Sequence, residues 1–108
     1  DGGIKADIKE TDNEYVIEAE MPGFDKKDIE VELIEDHLTI SAKREETLDE
    51  EGKDYIRRER SYGKVSRCFV IPGVEHEDVD AKYKNGILSI TLPKSKESRK
   101  RSKRIDIK

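Results

Sequence analysis

Two stretches of this chain repeat one another at an offset of fifty residues. Met21-Pro22-Gly23-Phe24 leads through an acidic turn into Ile29-Glu30-Val31-Glu32-Leu33. Ile71-Pro72-Gly73-Val74 leads the same way into Val79-Asp80-Ala81-Lys82-Tyr83. Each copy then meets a two-residue turn and a second alternating strand, Leu38-Thr39-Ile40-Ser41-Ala42 or Leu88-Ser89-Ile90-Thr91-Leu92. Each unit has one apolar face to cover, and a matching unit is at hand to cover it. The expected fold is therefore all-β, a pseudo-symmetric antiparallel sandwich, immunoglobulin-like in outline, with roughly seven to nine strands.

Pairing residues across the proposed turns gives the register. A turn at Asp12-Asn13 sets Ile8 opposite Ile17 and Ala6 opposite Ala19 on one face, with Lys5 opposite Glu20 on the other. A turn at Glu35-Asp36 sets Leu33 against Leu38, Val31 against Ile40 and Ile29 against Ala42. Asn85-Gly86, the strongest turn signal, sets Tyr83 against Leu88, Ala81 against Ile90 and Val79 against Leu92. Each hairpin has one apolar and one polar face, and a one-residue slip mixes them in all three. A further strand runs from Val65 to Ile71 and stops at Pro72. Val65, Arg67, Phe69 and Ile71 share its core face, so Arg67 needs a partner carboxylate or an interface there.

Composition narrows the function classes. The chain is 44% charged and 32% hydrophobic, so its core is thin and gains from oligomerisation. Residues 94–108 hold eight Lys/Arg and two acidic residues, a local +6 that leaves −10 on the rest of a chain whose net charge is −4. An acidic body with a basic tail suits association between copies better than nucleic-acid binding, and no aromatic residue is interleaved in the tail to stack bases. No apolar run approaches the length of a membrane span, and no signal-peptide pattern opens the chain. Cys68 is the single cysteine, which excludes an internal disulfide and favours a reducing compartment; it reads as a small buried residue. The expectation is a cytoplasmic protein without a membrane or nucleic-acid partner.

Two segments stand apart. Residues 44–62 are too polar for the core and read as a long loop, with Tyr55 and Ile56 set among arginines as a short strand or anchor for another chain. After Pro93, Lys94 to Arg104 reads as a flexible basic linker without packed structure. It ends in Ile105-Asp106-Ile107, where two isoleucines point the same way in an extended chain and call for a pocket. The organisation is thus a sandwich domain over 1–93 and a C-terminal extension over 94–108.

These residues resemble the small heat-shock protein family and its α-crystallin domain. Ala19-x-Met21-Pro22-Gly23 carries the resemblance, with Arg60-Ser61-Tyr62-Gly63-x-x-x-Arg67-x-Phe69-x-Ile71-Pro72, Tyr83-Lys84-Asn85-Gly86-Ile87-Leu88 and the terminal Ile-x-Ile. Retention of the long 44–62 segment is similar to the bacterial, archaeal and plant branch. Val65 stands where the family often has Phe. The chain also starts at its first strand, where members carry an N-terminal arm.

The resemblance implies an ATP-independent holdase whose partners are itself and unfolding client proteins. It implies a dimer made by exchanging a strand of roughly Tyr55 to Arg60, with Tyr55, Ile56, Arg58, Arg60 and Arg67 at the interface. It implies that Ile105 and Ile107 dock on a neighbouring dimer. The repeat supplies a groove for them. If strands 29–33 and 79–83 lie at the same edge, the sandwich opens between Ile29, Val31 and Leu33 on one side and Val79, Ala81 and Tyr83 on the other.

No phosphate-binding glycine loop and no nucleophile elbow is present, and the acidic pairs read as strand surface, so no enzyme and no cofactor is expected. His37 beside a turn and His76 in an acidic loop read as exposed. His76 with Glu75, Glu77 and Asp78 lacks the ligand spacing of a zinc site, so no metal is expected. The rival reading is a β-sandwich adaptor, a co-chaperone-like module that binds one folded partner without self-assembly.

Overall fold

Backbone conformations that only turns require sit where the sequence placed them. Asn85 and Gly86 both have positive φ, 53° and 78°, the pair of left-handed residues a tight hairpin needs. Glu35, fifty residues before Asn85, has φ 52°. The computed structural model describes residues 3–49, 58–101 and 105–108.

Among these residues seven strands form two antiparallel sheets. They are β1 (Lys5–Glu10), β2 (Glu14–Glu20), β3 (Ile29–Ile34), β4 (His37–Asp49), β5 (Arg58–Val70), β6 (Asp80–Lys84) and β7 (Ile87–Pro93). One sheet has the order β1-β2-β7-β6 and the other β3-β4-β5. The fold is the expected all-β antiparallel sandwich. The repeat holds at the level of structure. Short 3-10 turns at Lys26–Asp28 and His76–Asp78 precede β3 and β6. Gly23 and Gly73 before them have φ of 82° and 74°.

The registers of β1 on β2, β3 on β4 and β6 on β7 agree with the turn-based pairing: Ile8 faces Ile17, Val31 faces Ile40 and Ala81 faces Ile90. Val79 falls outside its strand, since β6 begins at Asp80. The inward faces form one core around Ile17, Met21, Leu38, Ile40, Ile71, Ile90 and Leu92, all essentially without solvent contact. Truncating any of these to Ala costs about 2–5 kcal/mol.

Two expectations about segment boundaries are corrected. Much of residues 44–62 is strand rather than loop. β4 continues to Asp49 and β5 begins at Arg58, with Glu45 opposite Tyr62 and Asp49 opposite Arg58. Backbone pairing needs no apolar side chains, so polarity alone did not make this stretch a loop. The two long strands carry the hairpin beyond the sandwich, and the molecule extends 72 × 34 × 23 Å. Second, the start of the extension is ordered. Lys94 and Ser95 are bonded to neighbouring loops, and Lys96–Arg101 forms a short helix, α1.

Candidate functional site

A sandwich of two open sheets has two sides, and here they differ. On one side β1 and β5 are the sheet edges. Arg67 of β5 reaches across and donates from Nη1 to the carbonyl oxygen of Ile4 at 2.9 Å, with its guanidinium 4.9 Å from the Phe69 ring centroid. Ile4 is buried beneath it. The partner that Arg67 required is thus a backbone carbonyl and an aromatic face of its own chain, not a carboxylate.

On the other side β3 and β6 are the edges. Two polar struts frame the gap between them. At one end the Tyr83 hydroxyl lies within reach of two carbonyl oxygens, Met21 at 2.6 Å and Phe24 at 2.8 Å, and its single proton serves both. At the other end His76 Nε2 donates to the Glu35 carbonyl oxygen at 2.9 Å, which requires the proton on Nε2. Between the struts Ile29, Val31, Leu33 and Val79 are only half-buried, although Ala42, Ile40 and Leu38 opposite β3 are closed off from solvent. Ala81 is exposed even though it shares the inward face with Ile90, which is fully buried. Partly covered apolar side chains thus line the β3 and β6 edges between the struts, over about five residues or roughly 16 Å. Tyr83 differs from the other five groove residues in that its hydroxyl closes one end.

The remaining site residues are placed as follows. Ile105 and Ile107 stand 80% and 98% exposed at the end of the chain. The backbones of Arg58 and Arg60 lie in β5 opposite Asp49 and Thr47. Tyr55 and Ile56 lie outside the described residues. Cys68 is exposed, not buried. It sits on the outward face of β5 opposite Thr39, where the parity of its strand outweighs the small apolar character that suggests burial. His37 is exposed as expected.

Sequence reasoning missed two cations. Arg44 donates from Nη2 to the Pro22 carbonyl oxygen at 3.1 Å and lies 4.2 Å from the Phe24 ring centroid. Lys94 is 8% exposed. Its Nζ is 2.7 Å from Glu10 Oε2 and 4.9 Å from the Tyr15 ring centroid. Burial first, and then the Glu10 carboxylate, hold the Tyr15 phenol above its usual range. The signal that would have found the pair is the repeat itself, since Arg44 and Lys94 are fifty residues apart.

Comparison with known proteins gives a single answer. Residues 7–108 match the family model described as Hsp20/alpha crystallin family. The 18 kDa heat shock protein of Clostridium acetobutylicum is 39% identical over 107 residues, covering 97% of this chain and 71% of the relative. Heat shock protein HSP.16.4 of Streptococcus thermophilus is 48% identical over 94 residues, covering 84% of this chain and 66% of that one. Among solved structures, heat shock protein 16.0 from Schizosaccharomyces pombe superposes with a TM-score of 0.70 at 31% identity over the whole of both chains. The family is one of chaperones and not of enzymes. No helix of the described residues is long and apolar enough to cross a membrane.

Proposed function

Because the chain belongs to the Hsp20/alpha crystallin family, we propose that it is an ATP-independent holdase that acts in the cytoplasm as a homodimer and higher oligomer. Unfolding proteins expose apolar extended segments, and a holdase must offer apolar surface to meet them. The observation that carries the reading is the β3/β6 trough, where inward-facing Ala81 is open to solvent.

The same trough suits Ile105 and Ile107 of a neighbouring copy. Burying two isoleucines contributes about 3–6 kcal/mol gross, and ordering the tail offsets part of it. Such a latch is weak enough to open on heating and frees the trough for client. The dimer would form by strand exchange. Residues from Tyr55 to Arg60 would add to a free sheet edge of the partner, with Arg67 close to that interface. Exchange replaces backbone hydrogen bonds by equivalent ones, so its net cost is small.

Light scattering of a heat-labile test protein, with this chain present and nucleotide absent, checks the reading. Suppressed scattering at near-stoichiometric ratios is expected. Unchanged scattering would remove the holdase reading for these residues.

A further inference from the structure

We propose that Arg44 and Lys94 are equivalent positioning residues, Arg44 fastening the departing β4 to the Pro22 loop and Lys94 fastening the departing tail to Glu10 of β1 and the ring of Tyr15, and that Lys94 sets the direction in which the C-terminal tail leaves the sandwich. The two cations occupy the same place in the two copies. Arg44 stands where β4 leaves the sandwich for the hairpin arm, and Lys94 stands where β7 gives way to the tail. The carbonyl oxygens of the two equivalent prolines are both engaged. Pro22 accepts from Arg44, and Pro72 accepts from the Tyr15 hydroxyl at 3.2 Å, whose ring lies under the Lys94 ammonium.

The second fastening is the deeper one. Lys94 is buried, and its charge is met by Glu10 of β1. Backbone bonds surround it. Lys94 N–H donates to Asn13 at 2.8 Å, Ser95 N–H to Gly73 at 2.7 Å, and Glu75 N–H to Pro93 at 2.8 Å. α1 then packs on Gly73 so closely that a Cβ there would clash with the Ser98 side chain. The chain is therefore held against the sandwich past Pro93, through Lys94, Ser95 and Ser98. A charge-assisted bond to a buried ammonium is stronger than a neutral one, and removing Glu10 leaves the Lys94 ammonium poorly met, whereas the Glu10 carboxylate is itself largely in water.

How a tail leaves its domain decides which closed assemblies it can complete. That consequence rests on the tail-docking reading above, whereas the fastening itself does not. The test uses the full chain with Lys94→Met and, as a milder variant, Glu10→Gln. Hydrogen exchange by mass spectrometry follows the Ser95 amide, with the Ile90 amide as a check on the sandwich. Native mass spectrometry gives the distribution of subunit numbers. In both variants Ser95 exchange is expected to quicken by about tenfold with Ile90 unchanged, and the distribution to broaden. Unchanged Ser95 exchange in both would overturn the proposal. So would a loosened Ser95 with an unaltered distribution, provided that Ile105→Ala with Ile107→Ala breaks the assembly down. If that double variant leaves the masses as they were, the tail-docking reading fails instead, and the fastening is decided on Ser95 exchange alone.

Discussion

The two sides of the sandwich solve the same problem in opposite ways. Each is a place where two sheet edges leave apolar side chains short of cover. At β1/β5 the chain bridges one end of the gap itself, with Arg67 bonded to Ile4 across it and 4.9 Å from the Phe69 ring, while Ile8 farther along β1 stays 47% exposed. At β3/β6 it places polar struts only at the ends, through Tyr83 and His76, and leaves the middle open at Ala81. A long cation on β5 spans its gap, whereas alanine on β6 is too short to fill its own. Closing an edge stabilises the single chain. Leaving one open gives up some of that stability and keeps apolar side chains in reach of solvent.

The largest effect should come from spoiling the open side. Ala81→Asp puts a carboxylate in the trough at a position already in water, so folding should change by less than about 0.5 kcal/mol. Binding of a peptide ending in Ile105-Asp106-Ile107-Lys108 should weaken roughly a hundredfold, about 2–3 kcal/mol, because a charge would need to be desolvated against two isoleucines. Val31→Asp should do the same from the facing wall, with an additional folding cost because Val31 is half-buried against Ile40. Isothermal titration beside urea melts separates the two effects. Undiminished peptide binding in both variants would place the docking surface elsewhere.

Next in size is the closed side. Arg67→Met keeps the apolar stem but removes the bond to Ile4 and the contact with Phe69. A loss of about 1–2 kcal/mol is expected in urea unfolding, with tail-peptide affinity unchanged. If stability holds and peptide affinity falls, the two sides are not the independent structures that their geometry indicates.

How much of this was legible beforehand depends on whether the cause is local. Hairpin registers follow from a period of two and a two-residue turn, so the pairing of Val31 with Ile40 and of Ala81 with Ile90 was open to reading from a few neighbouring residues. The edge positions of β3 and β6 followed as well, because the repeat makes the two strands equivalent and equivalent strands take equivalent edges. The partner of Arg67 lies 63 positions away, and nothing near either residue announces it. Cys68 was misplaced because its residue type outweighed its parity. Lys94 was taken for part of a solvated tether because its neighbours are charged. Its burial comes from Glu10 and Tyr15, which only the folded chain brings beside it. The continued pairing of β4 with β5 beyond Lys43 was hidden for a different reason. Strand pairing outside a core leaves no hydrophobic pattern behind.

A smaller change tests whether the struts or the trough walls hold the open side. Tyr83→Phe removes the hydroxyl shared by Met21 and Phe24 and keeps the ring. Stability should fall by about 1 kcal/mol. Tail-peptide affinity should fall only slightly, since the apolar walls remain. A loss of affinity as large as that from Ala81→Asp would show that the strut shapes the whole trough.

The smallest effect concerns the other crossover loop, which Tyr15 ties at Pro72 as Tyr83 ties the loop before β3. The Tyr15 phenol is held above its ordinary value of 10.0, chiefly by burial and then by Glu10. A folded-state pKa above the unfolded one means that the folded chain keeps a proton the unfolded chain releases. Stability from this group is therefore full below pH 10.0 and is lost as pH rises through the folded-state value. Tyr15→Phe should lose about 0.5 kcal/mol at neutral pH, from the bond to Pro72, and should fall less steeply than the parent chain above pH 10.0. Parallel urea melts at pH 8 and at pH values above 10 compare the slopes, with a difference of about a few tenths of a kcal/mol expected. Identical alkaline slopes would mean that the Tyr15 hydroxyl meets water freely, and the loop it ties would then be no better fastened than the one at the open side.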